Sequence, residues 1–273
     1  MFRVLALLIA ALSCQAANAD VRQINRAGPT CDPAFKACIL VIQINGEITD
    51  DAAAGLESII SGVRHTAEAS QYTFTFLSVE LNSPGGNVDA AMKIGRILRK
   101  EGPIVDVKMG ALCLSACVLI LAGGATRGLD GTIGIHRPYF EVPSGNVSSE
   151  TIKSHYQQML QAIRAYFKEM NVVANLADDM LRTNPEHMHV LGASELTQYG
   201  LTDADPAAQE ALEIQEAKTF GLDRKEYMRR KLLVEHSCGG SIPSYADCRG
   251  NILKSGSVPQ VDFSQYGRPY GGH

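Results

Sequence analysis

Three short segments of this chain carry residue types that together can do acyl-transfer chemistry. They are Asn82-Ser83-Pro84-Gly85-Gly86, Cys113-Leu114-Ser115-Ala116-Cys117 and Ile135-His136-Arg137-Pro138. Such a reaction needs a nucleophile, a base to take its proton, and N–H donors for the oxyanion that develops. Ser115 opens an apolar run of helical character, and the amide of Ala116 is placed to donate to an oxyanion, as in other nucleophile turns. His136 ends a strand-like run, and Arg137-Pro138 then holds the backbone extended. Gly85-Gly86 stands between a strand and a helix, where N–H groups can face a cleft with no side chain in the way. Alone, each has an ordinary explanation: a tight turn, a helix N-cap, one structural histidine among seven. Their coincidence, in this order and in β-α context, reads as a serine hydrolase.

The elements that must position these residues follow from periodicity. Cys38 to Ile44 is an apolar run of strand length stopped by Asn45-Gly46, and Asp50 or Asp51 caps a helix through Leu56, Ile59, Ile60 and Val63. Tyr72 to Leu81 is β-rich. Val88 to Lys100 has a helical stripe ended by Gly102-Pro103. Ile104 to Met109 reads as a strand, Ser115 to Leu121 as a short helix, and Thr132 to Ile135 as a strand. Long helices are expected at 149–170 and 172–181, a brief strand at 190–191, and a helical turn at 193–199. Repeated β-α units predict an α/β fold with a largely parallel sheet. From Pro206 a charged helix kinked near Gly221 is expected to run to about Glu235, followed by a disulfide-tied loop and a flexible tail. The expected division is therefore 1–19, 20–204 and 205–273.

Residues 1–19 read as a secretory signal peptide: Arg3, an apolar run from Val4 to Leu12, and Ala17-Asn18-Ala19 as the cleavage signal. A periplasmic or secreted protein is expected, with lipid attachment at Cys14 as the lesser alternative, because Ala11 stands where a lipoprotein signal has Leu. Of seven cysteines, six remain after cleavage, grouped as Cys31/Cys38, Cys113/Cys117 and Cys238/Cys248. Close pairs in an exported chain suggest local disulfides, although spacing alone leaves connectivity open. Cys113/Cys117 is the awkward pair, since i,i+4 on a regular helix suits a disulfide poorly. No C-x2-C spacing speaks for zinc, and no metal or cofactor is expected. With 45% hydrophobic and 20% charged residues the composition is that of an ordinary globular protein. The net charge of −4, more negative once Arg3 is removed, argues against nucleic acid or an anionic membrane as the main partner.

The three segments resemble the proteolytic subunit of the Clp protease, within the crotonase-like superfamily. The 29-residue interval from Gly86 to Ser115 is similar to that family's, and so are Ala193-Ser194-Glu195 and Tyr199-Gly200-Leu201-Thr202-Asp203. The likeness covers about Ile39 to Asp203 and is nearest to the family's exported branch. The resemblance implies stacked β-β-α units, Ser115 as nucleophile, His136 as general base, and the amides of Gly86 and Ala116 as the oxyanion hole. It also implies a peptide or unfolded-protein substrate and a homo-oligomer, since 149–170 lies where relatives carry the segment used in ring contacts.

Two departures stand out. Met188 occupies the position of the family's triad aspartate; Glu186 is the nearest carboxylate and the expected orienting acid, given a local shift of the loop Asn184 to His189, with Asp178 and Asp179 farther away. An exported chain also has no ATP, so no ATPase partner is expected, and no Walker-type loop is present. Related signal-peptide peptidases pair Ser with Lys. Lys108 precedes the nucleophile turn, but the matched His136 speaks against that dyad. The expected activity is ATP-independent serine peptidase. Its rivals are a non-catalytic exported binding module and a crotonase-type acyl-thioester enzyme.

Overall fold

A computed structural model of the protein describes residues 20–23, 30–32, 37–69, 73–139, 147–238 and 245–258. Residues 1–19 with Cys14, read above as a signal peptide, and residues beyond 258, read as a tail, lie outside them. The main sheet follows the order β1-β3-β4-β5-β7-β10, with β2 also pairing to β3. Its strands are β1 (Asp20–Gln23), β2 (Thr30–Asp32), β3 (Ala37–Asn45), β4 (Thr73–Asn82), β5 (Ile104–Val107), β7 (Thr126–Leu129) and β10 (Asp203–Ala204). Pairs β3–β4, β4–β5 and β5–β7 are parallel. A smaller sheet, β6-β8-β9, is built from β6 (Leu112–Leu114), β8 (Thr132–Ile135) and β9 (His189–Val190).

Parallel strands need crossovers, and the amphipathic helices supply them. Helices α1 (Asp50–Ala69) and α2 (Val88–Glu101) connect β3 to β4 and β4 to β5. Asn87 caps α2 by accepting from the Ala90 N–H, and Gly102, at φ 66°, ends it in the left-handed conformation. Helix α3 (Cys117–Ala122) is buried at all six positions, which explains its uniformly apolar sequence. It crosses α2 closely enough that a Cβ on Gly123 would lie 2.4 Å from the Gly95 carbonyl oxygen. Helix α4 (Ser149–Glu169) buries Ile163, Tyr166 and Phe167 at its C-terminal end, and the Tyr166 hydroxyl donates to the Leu119 carbonyl at 2.6 Å. Helices α5 (Asn175–Arg182) and α6 (Ala193–Gln198) complete this unit.

Strands β6 and β7 are additions to the elements expected from periodicity. β6 has three residues, and β7 (Thr-Arg-Gly-Leu) has one buried position, too little for any pattern to register. The charged C-terminal helix is two helices, α7 (Pro206–Thr219) and α8 (Arg224–Ser237), separated at Gly221 with φ 67°. The segment expected as a loop contains α9 (Tyr245–Ser255), tied to the end of α8 by the Cys238–Cys248 disulfide. These three helices enclose a second apolar cluster that includes Ala217, Tyr227, Val234, Ile252 and Leu253. Cys38 is also disulfide-bonded, and Cys31 lies opposite it in the β2–β3 register.

Asp205 joins the two parts. Its side chain is 2% exposed, accepts from Arg99 at 2.5 Å and from Asn171 at 2.9 Å, and caps α7 through the Ala207 N–H. Arg127, equally buried, donates to the carbonyls of Leu121, Ala122 and Gly200 and lies 3.7 Å from Asp205. Burial opposes ionisation of Asp205, but the hydrogen bonds from Asn171 and Arg99, and the Arg99 charge, hold its carboxyl below the usual value of 3.8. The stability it confers is therefore complete above that value and is lost as pH falls below it. Asp205→Ala should destabilise the protein by about 3 kcal/mol, because it leaves buried cations without their partner. Denaturant unfolding at pH 7 checks the loss, and its shrinkage at pH 3 checks the sign.

Candidate active site

The glycine turn is built on Ser83. This serine is 1% exposed, and its hydroxyl accepts the Gly85 N–H at 3.1 Å. Its backbone joins the two sheets: Ser83 N–H donates to Leu112 at 2.7 Å, and Leu114 N–H donates back to Ser83 at 3.0 Å. Gly85 and Gly86 have φ of 108° and 138°, values an L side chain rarely adopts. A Cβ on Gly85 would sit 2.7 Å from the Ser115 Cβ and 3.2 Å from the Ala116 nitrogen. The glycine turn therefore lies directly against the serine turn. Residues 30 positions apart are brought together, as the resemblance implies.

Ser115 follows β6 with φ 56°, a left-handed conformation that costs a serine of order 1 kcal/mol or more. The strain is held in place by its surroundings. Ser115 N–H donates to Gly134 on β8 at 2.9 Å, and the Cys113–Cys117 disulfide brackets the turn with a Cα–Cα distance of 5.1 Å. The awkward i,i+4 spacing is resolved here, because Cys113 lies in a strand and Cys117 begins α3, with the left-handed residue between them. The serine does not cap that helix; no side-chain cap bond is made at its start. Among the described residues, no hydrogen bond takes up the Ser115 hydroxyl or the amides of Gly86 and Ala116. A hydroxyl and two nearby N–H groups are thus open to a ligand, and of the two amides that of Ala116 is buried, where a donor without a partner is rare.

His136 leaves the end of β8, the strand parallel to β6, and is 8% exposed. Its Nδ1 lies 2.9 Å from the Arg137 carbonyl oxygen, and its ring stacks with that of Tyr139 at 5.8 Å. No hydrogen bond joins it to Ser115 among the described residues; such bonds often tighten only with substrate bound. The expected partnership with Glu186 is not formed. Glu186 is exposed and makes no ion pair or hydrogen bond among the described residues. In the β8–β9 register Gly134 faces Val190 and Ile135 faces His189, which brings Met188, the residue before β9, to the end of β8 where His136 leaves it. Met188 packs on the bare Cα of Gly134, where any Cβ would come within 2.9 Å of its sulfur. Asp178 and Asp179 are engaged elsewhere, by Arg164 and by Arg182 with Tyr199. Lys108 is exposed and paired to Asp106 at 3.0 Å. That hydrogen bond raises its pKa, so it stays protonated and unfit as a base.

Two contributors escaped the sequence reading. Ser83 could have been found from its place inside the glycine motif. The Arg137 carbonyl carries no sequence signal, because every residue has one.

The family model described as Clp protease matches residues 39–204, more than half of the chain. The chain belongs to the Clp protease family. Its α/β architecture is accordingly the Clp-protease and crotonase-like fold expected above. Over 132 residues it is 30% identical to the ATP-dependent Clp protease proteolytic subunit 2 of Streptomyces coelicolor, covering 46% of this chain and 59% of that relative. Two solved structures of a 1510-N membrane-bound stomatin-specific protease are similar at lower identity. A serine-to-alanine mutant gives 18% identity, a TM-score of 0.42, and coverage of 77% of this chain and 87% of that one. A lysine-to-alanine mutant with a substrate peptide gives 22%, 0.44, 63% and 77%.

Proposed function

We propose that this member of the Clp protease family is a serine peptidase. The observation that carries the reading is the strained Ser115, with its hydroxyl unused, beside the unused amides of Gly86 and Ala116. Ser115 Oγ attacks the peptide carbonyl carbon, and His136 Nε2 takes the hydroxyl proton. The Gly86 and Ala116 amides stabilise the oxyanion. Collapse breaks the C–N bond, His136 gives the proton to the leaving amine, and water then repeats the cycle on the acyl-enzyme. The Arg137 carbonyl, accepting from Nδ1–H, leaves Nε2 free as the base. It replaces the tautomer control of an acid, but not its charge.

The reading extends to an exported protein, cleaved after Ala19, that works without ATP on peptides or unfolded segments as a homo-oligomer. The leader sequence and the disulfides Cys113–Cys117 and Cys238–Cys248 support export. The test is to label the mature, disulfide-intact protein with a fluorophosphonate probe and map the adduct. An adduct on Ser115 is expected; a folded protein that does not react overturns the reading.

Met188 favours a second reading, a binding module that keeps the fold without turnover. Met188→Asp separates the two. In a working enzyme with a neutral orienter it should raise kcat about tenfold by stabilising the imidazolium. In a dismantled site it leaves the chain inert to peptide and probe alike.

A further inference from the structure

A cavity of about 490 Å³ opens beside the proposed base, lined by Arg137, Pro138, Tyr139, Ile152, Lys153 and Tyr156 among others, with no Asp or Glu in its wall. Three of these residues follow His136 directly in sequence, and Ile152, Lys153 and Tyr156 come from the N-terminal half of α4. The cavity therefore adjoins the segment that carries the proposed base.

Its charges are unusual for this molecule. Among the described residues every arginine but one has a carboxylate within ion-pair distance: Arg22, Arg64, Arg96, Arg99, Arg127, Arg164, Arg182, Arg224, Arg229, Arg230 and Arg249. The exception is Arg137, whose guanidinium donates to the Asn184 side-chain oxygen at 3.4 Å and has no carboxylate within ion-pair distance among the described residues. Its backbone is pinned by the Arg137 N–H to Thr183 bond at 2.9 Å, so the side chain starts from a fixed point. Lys153, which lines the cavity from α4, has no ion pair among the described residues either. Glu150, one turn earlier on α4, and Glu186, next to Pro185, flank the cavity without pairing to either cation. Two cations without a carboxylate partner among the described residues thus line an apolar and aromatic cleft in a chain of net charge −4, a combination whose chemistry suits an organic carboxylate.

We propose that this cavity selects peptide substrates carrying a carboxylate within a few residues of the scissile bond, on an acidic side chain or at the chain's C-terminus. Arg137 and Lys153 would hold the carboxylate, and Tyr139, Ile152 and Tyr156 would cover the apolar part of the same segment. The inference rests on the peptidase reading for its meaning, but binding can be measured without turnover.

The test uses quenched fluorescent peptides identical except for Glu, Gln or Lys at successive positions around the cut. Cleavage is followed in the wild type, and binding by fluorescence anisotropy in the Ser115→Ala protein. The Glu peptides should be preferred over Gln by about fivefold to tenfold at low salt, with the preference shrinking at high salt, as expected for exposed charges. Arg137→Glu and Lys153→Glu should each reverse it toward the Lys peptides, while Lys225→Gln, on α8, should not. Free C-terminal acids against amides separate the two carboxylate sources. Cleavage without discrimination overturns the proposal and leaves the peptidase standing. Charge-selective binding without cleavage supports the site and overturns the peptidase. Charge-blind binding overturns the proposal whatever the turnover.

Discussion

Ser115→Ala and His136→Ala, made separately, are each expected to cut peptide hydrolysis by about four orders of magnitude or more, and the double variant by no more than the worse single one. Nucleophile and base act as one unit, so removing either leaves the other with nothing to do. The residual rate should be that of oxyanion stabilisation and binding alone. Both variants should fold. Replacing Ser115 removes a hydroxyl that makes no hydrogen bond among the described residues, and alanine at φ 56° carries a strain similar to that of serine. Initial rates at saturating peptide, with a thermal melt for each variant, check this. Additive losses, or activity retained in either single variant, would sink the assignment of both residues.

Gly85→Ala should lower kcat by at least about a hundredfold with a much smaller change in KM. The residue sits at φ 108°, and its new methyl would meet the Ser115 Cβ at 2.7 Å and the Leu114 carbonyl oxygen at 2.9 Å. Neither contact can be relieved by rotating a flexible side chain. The turn must separate from the serine, and the amides that should converge on one oxyanion move apart. Gly86→Ala should behave alike, since its Cβ would lie 2.3 Å from the Ile48 carbonyl oxygen. The split between kcat and KM distinguishes a displaced oxyanion hole from a blocked binding cleft, which would raise KM instead.

Some of this was open to reading without coordinates. The stripe of α2 and the apolar run of β3 repeat over enough residues for their periods to be unmistakable, and their boundaries follow from Asn87, Gly102 and Asn45-Gly46. Short elements are different. β6 and β7 exist because neighbouring strands offer them hydrogen bonds, and three or four residues contain no period. Helix α9 was hidden because serine, glycine and proline around it read as loop, while its stability comes from the Cys238–Cys248 bridge and the cluster shared with α7 and α8.

The candidate site divides in the same way. Local chemistry determined the glycine turn, the serine and the histidine, because each needs a particular residue type at a particular place in its own element. Their meeting was implied by order and resemblance alone. The surroundings of His136 were decided by tertiary structure: the β8–β9 pairing brings Met188 to the end of β8, Glu186 is exposed, and the Arg137 carbonyl lies at Nδ1. The isolation of Arg137 is also tertiary, since whether a cation finds a carboxylate depends on what other elements bring within reach. Register and long-range pairing are properties of the packed chain, because a one-residue slip exchanges every facing partner while leaving each segment's own pattern intact.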